Sequence, residues 1–392
     1  MTLSLHRKGL ALLMAAALTG LAPVYSQAAT DVSAVLSTYA DMVHASYQDA
    51  SNKARELQKA VDAFVAKPSA DGLQAARKAW LAAREPYGQT EVYRFYGGPI
   101  DDAKDVEGRL NSWPLDEVYI DMVKGKPNAG LINNPKIDLA AERLIKLNTK
   151  GGEANIATGY HAVEFMLWGQ DFNPQGPGDR AFTDFVDGQA KNADRRRQYL
   201  KVVTDQLVAD LDYLAHSWQA GSTDNFRSRF LKDKPEASLR KVLTGMAVLS
   251  SAELSGERMQ VALDNQDQED EHSCFSDNTH RDIVNNALGI QNVYLGSYKR
   301  VDGSVVKGPS LKDLVADKDP KLAEKLAQDL ASTQQAAEAI QAPFDQEIIG
   351  KKDAPGRKRV QATIALLKAQ TKTLVSAARA IGINKLSVDA PN

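Results

Sequence analysis

Residues 31–66 read DVSAVLSTYADMVHASYQDASNKARELQKAVDAFVA, and this stretch decides the fold class. Its apolar side chains recur three or four residues apart, from Val35 through Tyr39 and Met42 to Phe64. This spacing places them on one face of a long α-helix, whereas a half-buried strand alternates every two residues. The same helical spacing continues through most of the chain, and almost no alternating stretch is found. The sequence therefore predicts an all-α protein.

About eight substantial helices are predicted, enough for two four-helix bundles. Ser69 is expected to cap the second helix, which Pro86 should kink or end near Glu85. Further helices are expected around residues 138–147, 190–219, 236–263, 281–299, 318–341 and 357–381, and one around His161. The N-terminal bundle, which carries the His161 helix, is assigned to residues 29–225, and the C-terminal bundle to 226–392. Residues 96–135, rich in Gly, Pro, Asn and Asp, form a long irregular connection in the first half.

The first 28 residues are interpreted as a signal peptide. A positive start, His6-Arg7-Lys8, precedes an apolar stretch too short for a membrane span, and Ser26-Gln27-Ala28 resembles a cleavage site. We therefore expect an exported, periplasmic protein with no transmembrane segment after cleavage. The net charge of −2 argues against nucleic acid as a main partner. The single cysteine, Cys274, excludes an internal disulfide and has no sequence neighbour that marks it as a nucleophile.

The segment Gly159-Tyr160-His161-Ala162-Val163-Glu164-Phe165-Met166-Leu167-Trp168-Gly169 is the most informative for function. Positions three apart share one helix face, so His161 and Glu164 should lie side by side in apolar surroundings. An imidazole and a carboxylate so placed can bind a cation or transfer protons. On the motif alone, a buried histidine hydrogen-bonded to its neighbour is the more common arrangement. One histidine and one glutamate also cannot complete a metal shell, so other segments would have to contribute.

Two acids of the first half are candidates for these further ligands. Glu85 follows a core-facing stripe, and its alternative role is an ion pair with Arg84 or Arg94. Asp101 lies in the aromatic irregular connection, where it could supply an oxygen ligand or cap a helix.

Residues 268–282 hold a second concentration of histidines and acids. His272, Asp277 and His280 are second-tier candidates for the site. If a helix begins near residue 277, Asp277 and His280 share a face, although Asp277 could equally be an N-cap. The alternative for the whole segment is a solvated, charged turn.

These motifs together resemble the imelysin-like proteins. Gly159 to Glu164 fits their Gly-x-His-x-x-Glu signature, and residues 268–280 resemble the Glu-Asp-Glu-His-Ser-Cys-Phe-Ser-Asp-Asn-Thr-His stretch of close members. Residues 80–85 and 98–101 are similar as well. The resemblance implies an all-helical fold of two similar four-helix bundles, with a functional site at their interface. It also implies a periplasmic or outer-membrane-associated role in iron uptake, and the family is also known as insulin-cleaving metallopeptidases.

Three functions follow as hypotheses. The first is a non-enzymatic binding protein that holds iron, or an iron chelate, through His161, Glu164, Glu85 and Asp101, with zinc as the alternative metal. The second is a zinc metallopeptidase in which His161 binds the metal and Glu164 is a ligand or general base. The third is a metal-free module that docks an outer-membrane or periplasmic iron-transport partner through residues 96–135.

Overall fold

A computed structural model of the chain describes Met1 and residues 29–389. The predicted signal peptide, 1–28, lies outside the described residues apart from Met1. The all-α prediction is confirmed, since helices form nearly all the regular structure described. The strands described, β1 (Ser297–Lys299) and β2 (Val305–Lys307), form one small antiparallel hairpin. None of the described helices has the length and apolar character needed to cross a bilayer.

The helices fall on both sides of the exposed loop 219–224. Before it come α1 (Val32–Ala66), α2 (Ala70–Gly88), α3 (Val106–Leu110), α4 (Glu117–Ile120), α5 (Gly130–Asn133), α6 (Ala141–Leu147), α7 (Tyr160–Trp168) and α8 (Ala193–Ser217). After it come α9 (Phe226–Lys232), α10 (Pro235–Val248), α11 (Val261–Asn265), α12 (Thr279–Leu295), α13 (Leu311–Ala316), α14 (Pro320–Glu338), α15 (Asp345–Ile348) and α16 (Pro355–Ala380). A π-helical segment, Leu249–Gln260, joins α10 to α11, and short 3₁₀ turns lie at Glu91–Tyr93, Phe182–Phe185 and Gln268–Asp270.

The helix starts follow from local chemistry. Asp31 caps α1 by accepting a hydrogen bond from the backbone N–H of Ser33 at 2.9 Å. Ser69 caps α2 in the same way through Gly72, as predicted. The expectation that α2 ends near Glu85 is wrong by three residues. Pro86 lies in the last turn of α2. Its missing N–H removes one backbone hydrogen bond, and no later turn of the helix depends on that bond.

Two groups of helices carry the core. In the first group α1 packs along α2 and α8, and α7 rests on both α2 and α8. In the second group α14 packs between α12 and α16, while the π-helical segment lies along α16. The groups meet where α2 contacts α12 and α1 contacts α10. The proposed boundary between residues 225 and 226 stays a prediction.

Candidate functional site

Helix α7 starts where only glycine fits. Gly159 precedes it with a φ of 93°. A Cβ at this position would lie 2.6 Å from the carbonyl oxygens of Arg109 and Leu110. Because an L side chain is both strained at this φ and blocked by backbone, the glycine sets how closely α7 approaches the end of α3. His161 is thereby held in the interior from the first turn of α7.

His161 and Glu164 form a buried pair. Nδ1 of His161 lies 2.8 Å from Oε2 of Glu164, and both residues are at most 1% exposed. The other carboxyl oxygen, Oε1, accepts hydrogen bonds from the backbone N–H and hydroxyl of Ser276, at 2.9 and 2.7 Å. Both oxygens of Glu164 are therefore engaged. Nε2 of His161 is buried without a hydrogen-bond partner.

Burial determines the charge of this pair. It lowers the pKa of His161 to about 3, and the positive charge of Arg84 acts in the same direction. Burial raises the pKa of Glu164 to about 8, against the opposing effect of the Ser276 hydrogen bond. At neutral pH Glu164 therefore keeps its proton and donates it to Nδ1, and the pair carries no net charge.

A second imidazole joins the pair from a distant segment. The ring centroids of His272 and His161 are 4.8 Å apart, and Trp113 contacts the far side of His272 edge-on. Burial, followed by the charge of Arg258, lowers the pKa of His272 to about 3. Its Nε2 lies 3.3 Å from the amide nitrogen of Asn111. Two neutral imidazoles are thus packed against each other in the core.

An ion pair between the two helix groups borders the imidazoles. Arg84 of α2 donates to Oδ1 of Asp282 in α12, at 2.9 Å from Nη2 and 3.2 Å from Nε. Both side chains are at most 2% exposed. Burial alone would raise the pKa of Asp282, but Arg84 and the hydrogen-bonded His272 hold it well below its usual range. Oδ2 of the same carboxylate lies 3.2 Å from Nδ1 of His272.

A larger ionic network continues from this centre. Asn111 donates to Glu91, whose other oxygen accepts from Arg258 at 2.6 Å. Burial alone would raise the pKa of Glu91, but Arg258 and Arg94 hold it well below its usual range. Arg94 lies within 3.4 Å of Glu91, Glu107 and Glu253. This network, like the Arg84 pair, connects residues of the first half with the π-helical segment and α12.

The structure does not bring Glu85 and Asp101 to His161, so their expected role as its co-ligands is not supported. Glu85 is bound by Arg281 through both oxygens, at 2.7 and 2.8 Å, and is about 40% exposed. Adjacent positions on a helix point about 100° apart, so Arg84 faces the interior and Glu85 faces the rim. Asp101 lies 4.0 Å from Nε of Arg94, in the neighbouring network.

Of the three second-tier candidates, the structure brings only His272 to the His161 centre. The solvated-turn interpretation is wrong for residues 271–279, which are all buried. His272 reaches the centre, whereas Nδ1 of His280 contacts the backbone oxygen of Asp277 at 3.1 Å. Asp277 is not the N-cap of α12, since Asn278 holds that position and Asp277 has a φ of 57°. Burial, then the nearby charges of Asp171 and Asp345, raises the pKa of Asp277 to about 7.

The donor types at the centre suit a transition metal, but the geometry is incomplete. Neutral imidazole nitrogens and a carboxyl group are ligands for iron or zinc. Across Met1 and residues 29–389, however, no three His, Cys, Asp or Glu side chains are spaced to hold one ion. Cys274 is buried, and burial raises the pKa of its thiol well above the usual value, so the residue is not a candidate nucleophile.

Several residues of the centre were not singled out from the sequence. Arg84 could have been, since it follows Trp80 by four residues on the buried stripe of α2. Arg258 carries no comparable signal, and Ser276 lies in the segment 268–282 but was given no role there. Their approach depends on how the second helix group folds back over α7.

The fold and the site define a class of proteins: two groups of α-helices enclosing a buried His–Glu pair on a short central helix. A family model described as Imelysin, peptidase family M75, matches residues 43–374. The chain belongs to the imelysin family, as its motifs suggested.

Two similar proteins have names that refer to iron. Iron-regulated protein A of Synechococcus elongatus (strain ATCC 33912 / PCC 7942 / FACHB-805) is 26% identical over 340 residues, covering 83% of this chain and 78% of that protein. A crystal structure from Parabacteroides distasonis ATCC 8503, provisionally named an iron-regulated protein A precursor, superposes with a TM-score of 0.70. It is 23% identical and covers 90% of this chain and 97% of that one, so it supports the fold alone.

Proposed function

We propose that this protein serves iron acquisition outside the cytoplasm as a binding protein. In this proposal iron, or an iron-bearing ligand, is held at the His161–Glu164 centre between the two helix groups. The family and the iron-regulated relative support an iron-related role. Export is supported by the signal-like residues 1–28.

The observation that carries the proposal is the free nitrogen of His161. Nε2 is buried and has no hydrogen-bond partner, although burying an unpaired polar group is unfavourable. In the metal-free protein Nδ1 accepts the proton of Glu164 and Nε2 carries the ring proton, so a metal can bind Nε2 only if one proton is released. Nδ1–H would then donate to ionised Glu164, the arrangement by which a carboxylate orients a metal-binding imidazole. We therefore assign Nε2 of His161 the role of ligand and Glu164 the role of orienting partner. His272 is the nearest candidate for a second nitrogen ligand.

The shortage of protein ligands at the pair favours chelated iron over a bare cation. The charges of Arg84 and Asp282 act on His161 in opposite directions, so this ion pair adds little net repulsion. A chelate supplies its own oxygen ligands, which the described side chains do not provide as a set. Because His161 and Glu164 are at most 1% exposed, such a ligand can reach them only if the two helix groups separate locally.

The peptidase hypothesis has less support from the geometry. A zinc peptidase needs a carboxylate that can accept a proton from metal-bound water. Both oxygens of Glu164 are already hydrogen-bonded to His161 and Ser276.

The docking hypothesis needs apolar side chains of residues 96–135 at the surface. Ile100, Leu110 and Ile120 of this range are buried and are not available to a partner.

Binding of ferric citrate and of Zn²⁺ to the purified protein would test the proposal. His161→Ala should weaken ferric citrate binding by at least about tenfold, since a ligand to the metal is lost. Glu164→Gln should weaken binding less, because the glutamine can still hold Nδ1. The matched control, His216→Ala, removes an exposed imidazole of α8 and should leave the affinity unchanged. Equal affinities of His161→Ala and wild type, with the fold verified by circular dichroism, would rule this centre out.

A further inference from the structure

A groove of about 570 Å³ lies between α16 and the π-helical segment. Three basic side chains of α16, Lys368, Lys372 and Arg379, line one side of it. Ser251 of the π-helical segment and Val388 also line it. None of these residues belongs to the His161 centre or to its ionic network.

The sequence around the groove is strongly biased in charge. Residues 354–388 contain seven lysines and arginines and no aspartate or glutamate. The whole chain, in contrast, has 48 basic and 50 acidic residues. A basic run of this length in a slightly acidic protein concentrates positive potential on one helix.

The groove cations are available for a ligand. Lys368, Lys372 and Arg379 make no ion pair with any residue in the described part of the chain. Nζ of Lys368 makes a long polar contact with the side-chain oxygen of Gln260, at 3.5 Å. Lys325 of α14, by contrast, is paired with Asp329. Positions 368, 372 and 379 are spaced by four and seven residues, so their side chains project from one face of α16.

The shape and lining of the groove fit a small molecule. Its volume lies in the range of ligand pockets, about 300–1,000 Å³. Val375 and Val388 add apolar surface between the charges. One wall is a twelve-residue π-helical segment, a conformation that occurs frequently at functional sites. A concave cleft of this size suits a small ligand better than a flat lipid surface.

We propose that this groove binds a small free anion carrying several carboxylate or phosphate groups. Lys368, Lys372 and Arg379 would provide the charge-assisted hydrogen bonds, and Ser251 a hydroxyl donor. The proposal does not depend on iron binding at His161.

Isothermal titration calorimetry of the full chain with citrate and with inorganic pyrophosphate tests this site. We expect saturable binding of at least one of them that weakens as ionic strength rises. The double variant Lys368→Gln/Lys372→Gln should lower the affinity by at least about tenfold, because two charge-assisted contacts are lost. Lys358→Gln removes an exposed lysine of the same helix outside the groove and should leave the affinity unchanged. His161→Ala should also leave it unchanged, which separates the two sites.

Three results would overturn the assignment. One is the absence of binding of both anions at millimolar concentrations. Another is a loss of anion affinity in Lys358→Gln as large as that in the double variant, which would show that only overall charge matters. The third is binding to vesicles of phosphatidylglycerol and phosphatidylcholine without binding of either small anion, which would make the surface a membrane contact.

Discussion

His161, His272 and Glu164 are uncharged at neutral pH because burial disfavours the charged form of each. The neighbouring Asp282 is equally buried, yet it stays ionised because Arg84 is bound to it. The centre therefore places neutral nitrogen donors beside a closed ion pair.

The protonation of Glu164 gives a testable prediction. Its pKa is raised from 4.5 to about 8, so its contribution to stability is complete below pH 4.5 and is lost as the pH rises towards 8. A glutamine resembles the protonated carboxyl group but does not titrate. In chelator-treated protein, Glu164→Gln should match wild type in free energy of unfolding near pH 4.5. By pH 8 it should exceed wild type by about 4 kcal/mol, measured by urea denaturation.

The control for this experiment is Glu142→Gln, which removes an exposed carboxylate of α6. Its free energy of unfolding should follow wild type across the pH range. If the difference between Glu164→Gln and wild type did not change with pH, Glu164 would have to be ionised throughout, and the neutral pair would be wrong.

At the scale of the element, helix α7 depends on the glycine that precedes it. Gly159→Ala adds a Cβ to a backbone with a φ of 93° and places it against two carbonyl oxygens. Gly221 has a similar φ, 83°, but nothing lies within 4 Å of an added Cβ. Gly221→Ala should therefore cost about 1–2 kcal/mol from the backbone conformation alone. Gly159→Ala should cost at least about 2 kcal/mol more in thermal or urea unfolding, because α7 must move. Equal costs at the two positions would show that α7 does not need this close approach.

Local sequence signals predicted several elements well. The cap at Ser69 and the long helix α1 follow from interactions within a few residues, so the tertiary structure did not alter them. The π-helical segment Leu249–Gln260 was predicted as ordinary α-helix. The apolar spacing of a helix does not reveal whether each backbone hydrogen bond spans four residues or five, so the distinction appears only in the structure.

At the scale of the whole molecule, buried polar contacts fasten the two helix groups together. Two ion pairs, Arg84 with Asp282 and Glu91 with Arg258, connect one helix group to the other. Each of these four side chains is at most 4% exposed. Breaking such a pair leaves an unpaired charge in the core, which lowers the free energy of unfolding by about 3–5 kcal/mol. The halves should therefore stay associated even if the chain between them is cut.

Limited proteolysis tests this and the proposed boundary at residues 225 and 226. Residues 219–224 are all exposed, so proteinase K should cut there first and yield two fragments. The fragments should co-elute in size-exclusion chromatography and separate only in denaturant. A first cut within α10 or α12 would contradict the proposed boundary, and fragments that separate without denaturant would contradict the association. The urea-unfolded chain is the control and should show no preferred site.

The sequence by itself determined what depends on neighbours along the chain. Periodic apolar residues made the protein helical, and three-residue spacing put His161 and Glu164 on one face of α7. Only the tertiary structure decided which distant groups joined them. Packing of α2 against α12 turned Arg84 inward to Asp282 and left Glu85 at the rim with Arg281. The fold of residues 271–279 brought His272 to His161. Helix periodicity fixes the angle between adjacent side chains, but long-range packing selects which of them faces the core.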